Sequence, residues 1–207
     1  MEKAVLISIH PEWCQKIVNG EKTIEVRKTR PKMETPFKCY IYCTKDKHLA
    51  FMQNASGTNL IACMNAETAI PVGGFLGNGK VIGEFICRKI DRVTHVGSMG
   101  SSLVYPCICA PGAASVSRID DLLNASCLSA VGLERYLAGG DGYGWHISNL
   151  EVYDTPLELS EFRRPCKHEL YCESCAVYMH HDGICGNATL YLRRPPQSWY
   201  YVAEKEN

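Results

Sequence analysis

Apolar and polar positions change period several times along the chain, and each change marks an element. Val5 to Ile9 is a short, nearly continuous apolar run and predicts a buried strand. From Pro11 to Asn19 the period lengthens, so that Trp13, Cys14, Ile17 and Val18 share one face of an amphipathic helix. Pro11 suits the first helical position, where its missing N–H has no partner to lose, and Gly20 suits the left-handed residue just past the end. The period then drops to two in Thr23-Ile24-Glu25-Val26-Arg27, with Ile24 and Val26 pointing one way and Thr23, Glu25 and Arg27 the other. Pattern alone reads this as a strand with one core face and one solvated, charged face.

Further along, Lys28-Thr29-Arg30-Pro31-Lys32 predicts a basic turn, because Pro31 has no N–H for a strand ladder. Phe37 to Thr44 reads as a strand with Phe37, Cys39, Ile41 and Cys43 on one face and Lys38, Tyr40 and Tyr42 on the other. Tyrosines beside a basic loop suit stacking on a base, but for Tyr42 the structural role is the favoured reading. Leu49 to Met52 predicts the start of a short helix, and residues 71–79 are too glycine-rich for a regular element. Those glycines are not a phosphate-binding loop, since Gly79-Lys80 is followed by Val81. Lys80 to Val93 returns to strand character, with Gly83 allowing a bulge or bend. Between Thr94 and Ser126 only Ile119 to Leu123 promises a helical turn. Ser129 caps a second helix that carries Leu133, Tyr136 and Leu137 and stops at Gly139-Gly140. Trp145 to Tyr153, Ala188 to Arg193 and Trp199 to Val202 read as strands.

Length and charge change this picture only in part. The 207 residues suit a single domain, residues 1–207, able to bury a sizeable core. With 22 basic and 22 acidic side chains there is no global field to draw in nucleic acid, so any such binding needs a local patch. Neither a membrane-length apolar run nor a signal-peptide pattern is present, and the expected location is cytoplasmic with no membrane partner. That expectation makes the 12 cysteines reduced thiols rather than a disulfide framework. Cys14, Cys39, Cys43, Cys63, Cys87 and Cys127 lie in apolar stretches and suit small core residues. Cys166, Cys172, Cys175 and Cys185 differ: they form Cys-x5-Cys-x2-Cys-x9-Cys, with His168, His180 and His181 nearby. Four thiolates complete a tetrahedral zinc site with no open position for water, which predicts a structural Zn2+; His168 or His181 is able to replace one of them.

Three segments carry a family resemblance. Ser8-Ile9-His10-Pro11, Gly20-Glu21-Lys22-Thr23-Ile24-Glu25-Val26-Arg27 and Gly144-Trp145-His146-Ile147-Ser148 together resemble the signature of the ASCH domain family, part of the PUA-like superfamily. The resemblance implies an α+β, mainly β fold: a PUA-like β-barrel with flanking helices, in which residues 163–187 are a small zinc-binding insertion. It also implies a cleft between barrel and N-terminal helix that binds RNA or a nucleotide-like ligand. Lys22, Arg27 and Arg30 would hold phosphates there, and Trp145 or a tyrosine would stack on a base. Thr23, Glu25 and His146 complete the ligand-binding set, while Trp145 suits a large core residue equally well.

Two other function classes remain open on the sequence. Small ASCH proteins resembling this chain at Gly-x-Lys-Thr act as amidohydrolases on N4-acetylcytidine, which would make Lys22 and Glu25 catalytic. Glu25 stands where such proteins have a threonine, so it would activate water while Lys22 stabilises the oxyanion. The distal glutamate of those enzymes has two candidates here, Glu84 and Glu134. The third class is a protein-interaction module using Tyr171, Val177, Tyr178 and Met179 of the zinc segment.

Overall fold

The amino-terminal apolar run becomes strand β1 (Lys3–Ile9), and the amphipathic stretch becomes helix α1 (Pro11–Val18) with Pro11 in its first turn. Gly20 follows at φ 76°, the left-handed geometry that lets the chain reverse into β2 (Ile24–Arg27). The computed structural model describes residues 2–53, 60–63, 70, 72–96, 105–109, 119–166 and 187–205. Its remaining strands are β3 (Phe37–Cys43), β4 (Ala50–Gln53), β5 (Leu60–Cys63), β6 (Phe75–Leu76), β7 (Lys80–Val96), β8 (Tyr105–Cys109), β9 (Gly142–Glu158) and β10 (Trp199–Ala203). Helices α2 (Ile119–Ser126) and α3 (Ala130–Leu137) lie between β8 and β9.

The main sheet runs β10-β1-β3-β7-β9-β2, with β8 added on β7, and β4 joins β5 and β6 in a smaller sheet. β1 pairs parallel with β3, and the other pairs are antiparallel. The mainly β, α+β fold is as expected, but the barrel is not: the path ends in two different strands, so no ladder closes it among the described residues. Side chains cross from one end of the path to the other instead. Arg27 Nη2 donates to the Ser8 carbonyl, Trp199 Nε1 donates to Thr29 Oγ1 at 3.0 Å, and the Lys32 amide donates to the Tyr201 hydroxyl at 2.6 Å. β2 is only four residues long, and Pro31 soon after it has no donor with which to extend a ladder.

Long strands β7 and β9 form the spine, and their register shifts at several points. One shift falls between Val81 and Gly83, where the sequence predicts a bulge. A Cβ at Gly83 would sit 2.3 Å from the Glu151 carbonyl oxygen, so the close backbone approach requires glycine. Other expectations change. Leu49 to Met52 does not open a helix; Ala50–Gln53 is paired between β5 and β6. Ala188 to Arg193 is not a strand: Ala188–Leu190 is a single 3-10 turn capped by the Asn187 side chain, and Tyr191 makes one isolated bridge to Arg163.

β1, α1, β3 and β7 enclose the largest core cluster, which includes Phe37, Ile41, Phe85 and Trp145. Cys14, Cys39, Cys43 and Cys87 are fully buried in it, as their apolar surroundings predict. Burial pushes the thiols of Cys14 and Cys39 well above the ordinary range and that of Cys87 up to about 12, so all three stay protonated and unreactive at neutral pH. Tyr40 and Tyr42 pack in a second cluster on the opposite face of β3, which makes Tyr42 structural. A third cluster joins Ile24 and Val26 of β2 to Leu122, Leu133 and Leu137 of the two later helices. No helix among the described residues is long and apolar enough to cross a membrane.

Candidate functional site

β2 lies against β9 in an antiparallel pair, with Glu25 opposite Trp145 and Ile24 opposite His146. Both of its faces are covered. Ile24 and Val26 pack on α2 and α3, and Glu25 and Arg27 are enclosed on the other side, so the charged face is not the solvated one that alternation suggests. Lys22, just before the strand, is 3% exposed, Glu25 7% and Arg27 9%. Charges removed from water to this extent persist only when paired, and these are. Lys22 Nζ lies 3.2 Å from Glu25 Oε2, and Arg27 Nη2 lies 3.1 Å from Glu25 Oε1. Both carboxylate oxygens are thereby engaged. Lys22 Nζ also donates to the Ser126 carbonyl at 2.8 Å, at the end of α2, and sits 5.2 Å from the centre of the Trp13 ring.

These side chains line a cavity of about 690 Å³ bounded by the end of β1, α1, β2, α3 and the segment before β10. Its aromatic walls are Trp13 and Tyr136, Arg135 adds an exposed cation to the buried Lys22 and Arg27, and Pro196 and Gln197 close one side. Gly132, Arg135 and Tyr136 reach it together because positions three and four apart share one face of α3. Ser129 caps that helix by accepting from the Gly132 amide at 3.1 Å, as its sequence predicts. The rim carries His10, whose Nε2 lies 2.9 Å from Asp46 Oδ2. Hydrogen bonds from the His48 amide, the His10 ring and the Leu49 amide hold the Asp46 carboxyl down at about 2. Asp46 therefore stays ionised beside His10 throughout the neutral range.

Within this array one donor is left over. Arg27 Nε is buried and has no hydrogen-bond partner, although the same guanidinium bonds Glu25 and Ser8 through Nη2. A buried N–H without an acceptor is costly, and an anion entering the cavity is a direct way to satisfy it. Net positive charge favours the same occupant: Lys22, Arg27 and Arg135 outnumber Glu25 on the cavity wall.

The structure thus brings together three residues of the ligand-binding set, Lys22, Glu25 and Arg27. It separates the others from them. Thr23 is exposed, with its amide bonded to the Ala125 carbonyl, and Arg30 is exposed in the turn after β2; neither lines the cavity. Trp145 is completely buried, edge-on to Phe37 at 5.9 Å, and is the core residue of the two roles the sequence allowed. His146 points to the opposite face, where its Nε2 lies 2.7 Å from Asp91 Oδ2. Glu84 pairs with Lys38 and Tyr153, and Glu134 is exposed on α3, so neither distal glutamate is in the cavity.

Trp13, Tyr136, Arg135 and the Ser126 carbonyl are the site features that sequence reading missed. Only the helical spacing of Arg135 and Tyr136 next to the cap was available as a signal. Of the proposed zinc ligands, Cys166 is described and half-buried, whereas Cys172, Cys175, Cys185 and His168 lie outside the described residues, as do Tyr171, Val177, Tyr178 and Met179. Among the described residues no group of three or more metal-ligating side chains occurs.

Comparison with known proteins gives a family match for part of the chain. No curated protein matches the chain. Among solved structures, ASCH from Zymomonas mobilis is 14% identical, covering 97% of this chain and 88% of that one with a TM-score of 0.48. A substituted form of the same Zymomonas mobilis protein is also 14% identical, with coverage of 97% and 89% and a TM-score of 0.46. The model of the ASCH domain matches residues 7–105, a span that includes His10, Trp13, Lys22, Glu25 and Arg27. That match runs from the end of β1 to the start of β8 and makes this part of the chain similar to the ASCH domain.

Proposed function

We propose that the cavity binds a nucleotide unit of RNA, with the phosphate against Arg27 and Arg135 and the base against Trp13 or Tyr136. The observation that carries this reading is the partnerless, buried Nε–H of Arg27, a residue that lines a cationic, aromatic cavity. About 690 Å³ falls within the usual size of a small-ligand site. Guanidinium groups recognise phosphate oxygens well, and aromatic rings stack on any base. Similarity of residues 7–105 to the ASCH domain, whose family is generally RNA-binding, supports the same reading.

Titration of a fluorescent mononucleotide and of a short oligouridylate at low salt tests it. Arg135 and Tyr136 are exposed, so Arg135→Ala and Tyr136→Ala leave the core intact. Each is expected to weaken binding by about tenfold, the scale of one phosphate contact or one stacked base. Binding that is absent, or indifferent to both changes, sinks the proposal.

The amidohydrolase reading uses the same cavity, and the 3.2 Å contact between Lys22 and Glu25 favours it. Both oxygens of Glu25 are held by cations, however, so a water would have to displace one of them before Glu25 acted as its base. Incubation with N4-acetylcytidine decides the matter. Release of cytidine that is lost in Glu25→Gln establishes hydrolysis, and no release removes it.

Structural zinc is a separate proposal, supported by the Cys-x5-Cys-x2-Cys-x9-Cys spacing of Cys166, Cys172, Cys175 and Cys185. Metal analysis of protein purified without chelator is expected to find about one zinc per chain. Much less than that refutes it.

A further inference from the structure

Two more cavities, of about 670 and 460 Å³, lie along the β10 side of the sheet and share Arg164 and Tyr200. The two cavities therefore adjoin at the Arg164–Tyr200 pair, and together they are treated as one groove. Among the described residues it is lined by five exposed cations, Lys3, Lys32, Arg164, Arg193 and Arg194, and by no carboxylate. In a chain whose charges balance at 22 and 22, that local excess is a patch of the kind that global neutrality requires for nucleic-acid binding. None of the five has an ion pair among the described residues.

Aromatic surface runs through the same groove. The Arg164 guanidinium lies 5.1 Å from the centre of the Tyr200 ring, and Tyr191 and Tyr201 line the two halves. Cations that follow a backbone, interleaved with rings that accept any base, are the equipment of a single-strand tract. The chain also links the groove to the cavity already described. Arg194 is two residues from Pro196, which lines that cavity beside Gln197. This stretch is tied down at both sides: Ser8 Oγ donates to the Pro196 carbonyl at 2.7 Å and the Ser8 amide to the Ser198 carbonyl at 2.9 Å. Chain between the two sites is therefore short and fixed.

We propose that the Arg164–Tyr200 groove is a second subsite, which holds the continuation of a single RNA strand whose terminal or flipped nucleotide occupies the β2 cavity. The inference rests on the RNA reading of that cavity, but the two fail separately. Fluorescence anisotropy with uridylates of one, three, six and nine nucleotides, at two or more salt concentrations, reads both. Affinity is expected to rise at least tenfold from one to nine nucleotides in the wild type. Arg164→Ala/Arg193→Ala/Arg194→Ala is expected to abolish most of that gain and to flatten the salt slope by about 2, while mononucleotide binding stays unchanged. Retained mononucleotide binding also reports that the variant is folded. A second variant, Lys3→Ala/Lys32→Ala, is expected to lose a smaller part of the gain.

Affinity that does not grow with length, or growth that survives both variants, overturns the groove. A wild type that binds the nine-mer through the three arginines yet does not bind the mononucleotide upholds the groove and overturns the cavity. Charge reversal at the arginines with circular dichroism as a fold control repeats the decision, since a folded variant with wild-type nine-mer affinity also rejects the groove.

Discussion

Glu25→Ala is expected to lower the melting temperature by on the order of 10 °C, the largest effect of any single change at the site. Glu25 is the sole carboxylate between Lys22 and Arg27, both nearly closed off from solvent. Removing it leaves two buried cations without the carboxylate they share. Breaking a buried ion pair from one side costs about 3–5 kcal/mol, and in a chain of this size each kcal/mol moves the transition by about 2–4 °C. Thermal unfolding checks the prediction, and adding an anion gives it a second arm. Phosphate at millimolar concentration is expected to restore part of the loss in Glu25→Ala and to do less for the wild type, because it takes the place of the missing carboxylate. A variant that melts with the wild type shows that the three charges are not coupled as their distances imply.

Trp145→Ala and Trp13→Ala are expected to fail in opposite ways, and this is the second large effect. Trp145 is fully buried against Phe37 and near Trp199, so truncation opens a void the size of an indole and costs about 3–5 kcal/mol. Ligand binding suffers only as far as the fold does. Trp13 is half-buried on the cavity wall, so its loss removes a stacking surface and the ring beside Lys22 while leaving most of the core in place. Nucleotide affinity is expected to drop about tenfold in Trp13→Ala with a small shift in melting. Paired titration and melting of the two variants separates the roles. Equal loss of affinity in Trp13→Ala and in the conservative Trp145→Phe would return Trp145 to the site.

Where neighbours in sequence are also neighbours in space, the fold was legible. The helix from Pro11, its glycine stop, the cap at Ser129 and the bulge at Gly83 all follow from local rules that need no tertiary information. β4 was not, because Ala50 to Gln53 is short and weakly patterned and is held as a strand only by partners on both sides. The strand of residues 105–109 escaped for the same reason, lying in a stretch whose composition suggests a loop.

For the site, alternation assigned the correct orientation to Glu25 and Arg27 and the wrong surroundings. A two-residue period says which side chains share a face, not whether another layer covers that face. Here α1, α3 and the segment before β10 cover it, and none of these contacts is local. Trp145 shows the converse: it shares the face of Glu25, opposite it on β9, yet lies deeper, under Phe37. Pairing partners on neighbouring strands need not open on the same cavity.

Arg27 has one further consequence. Its guanidinium fastens β2 to the end of β1 through the Ser8 carbonyl, while its buried Nε–H has no acceptor and the residue lines the cavity. Clasp and receptor are one group. Selection for tighter grip on a ligand therefore pulls against selection for a sturdier fold at this position, and a designer seeking to retune affinity has freer choice at Arg135 and Tyr136, which hold nothing shut.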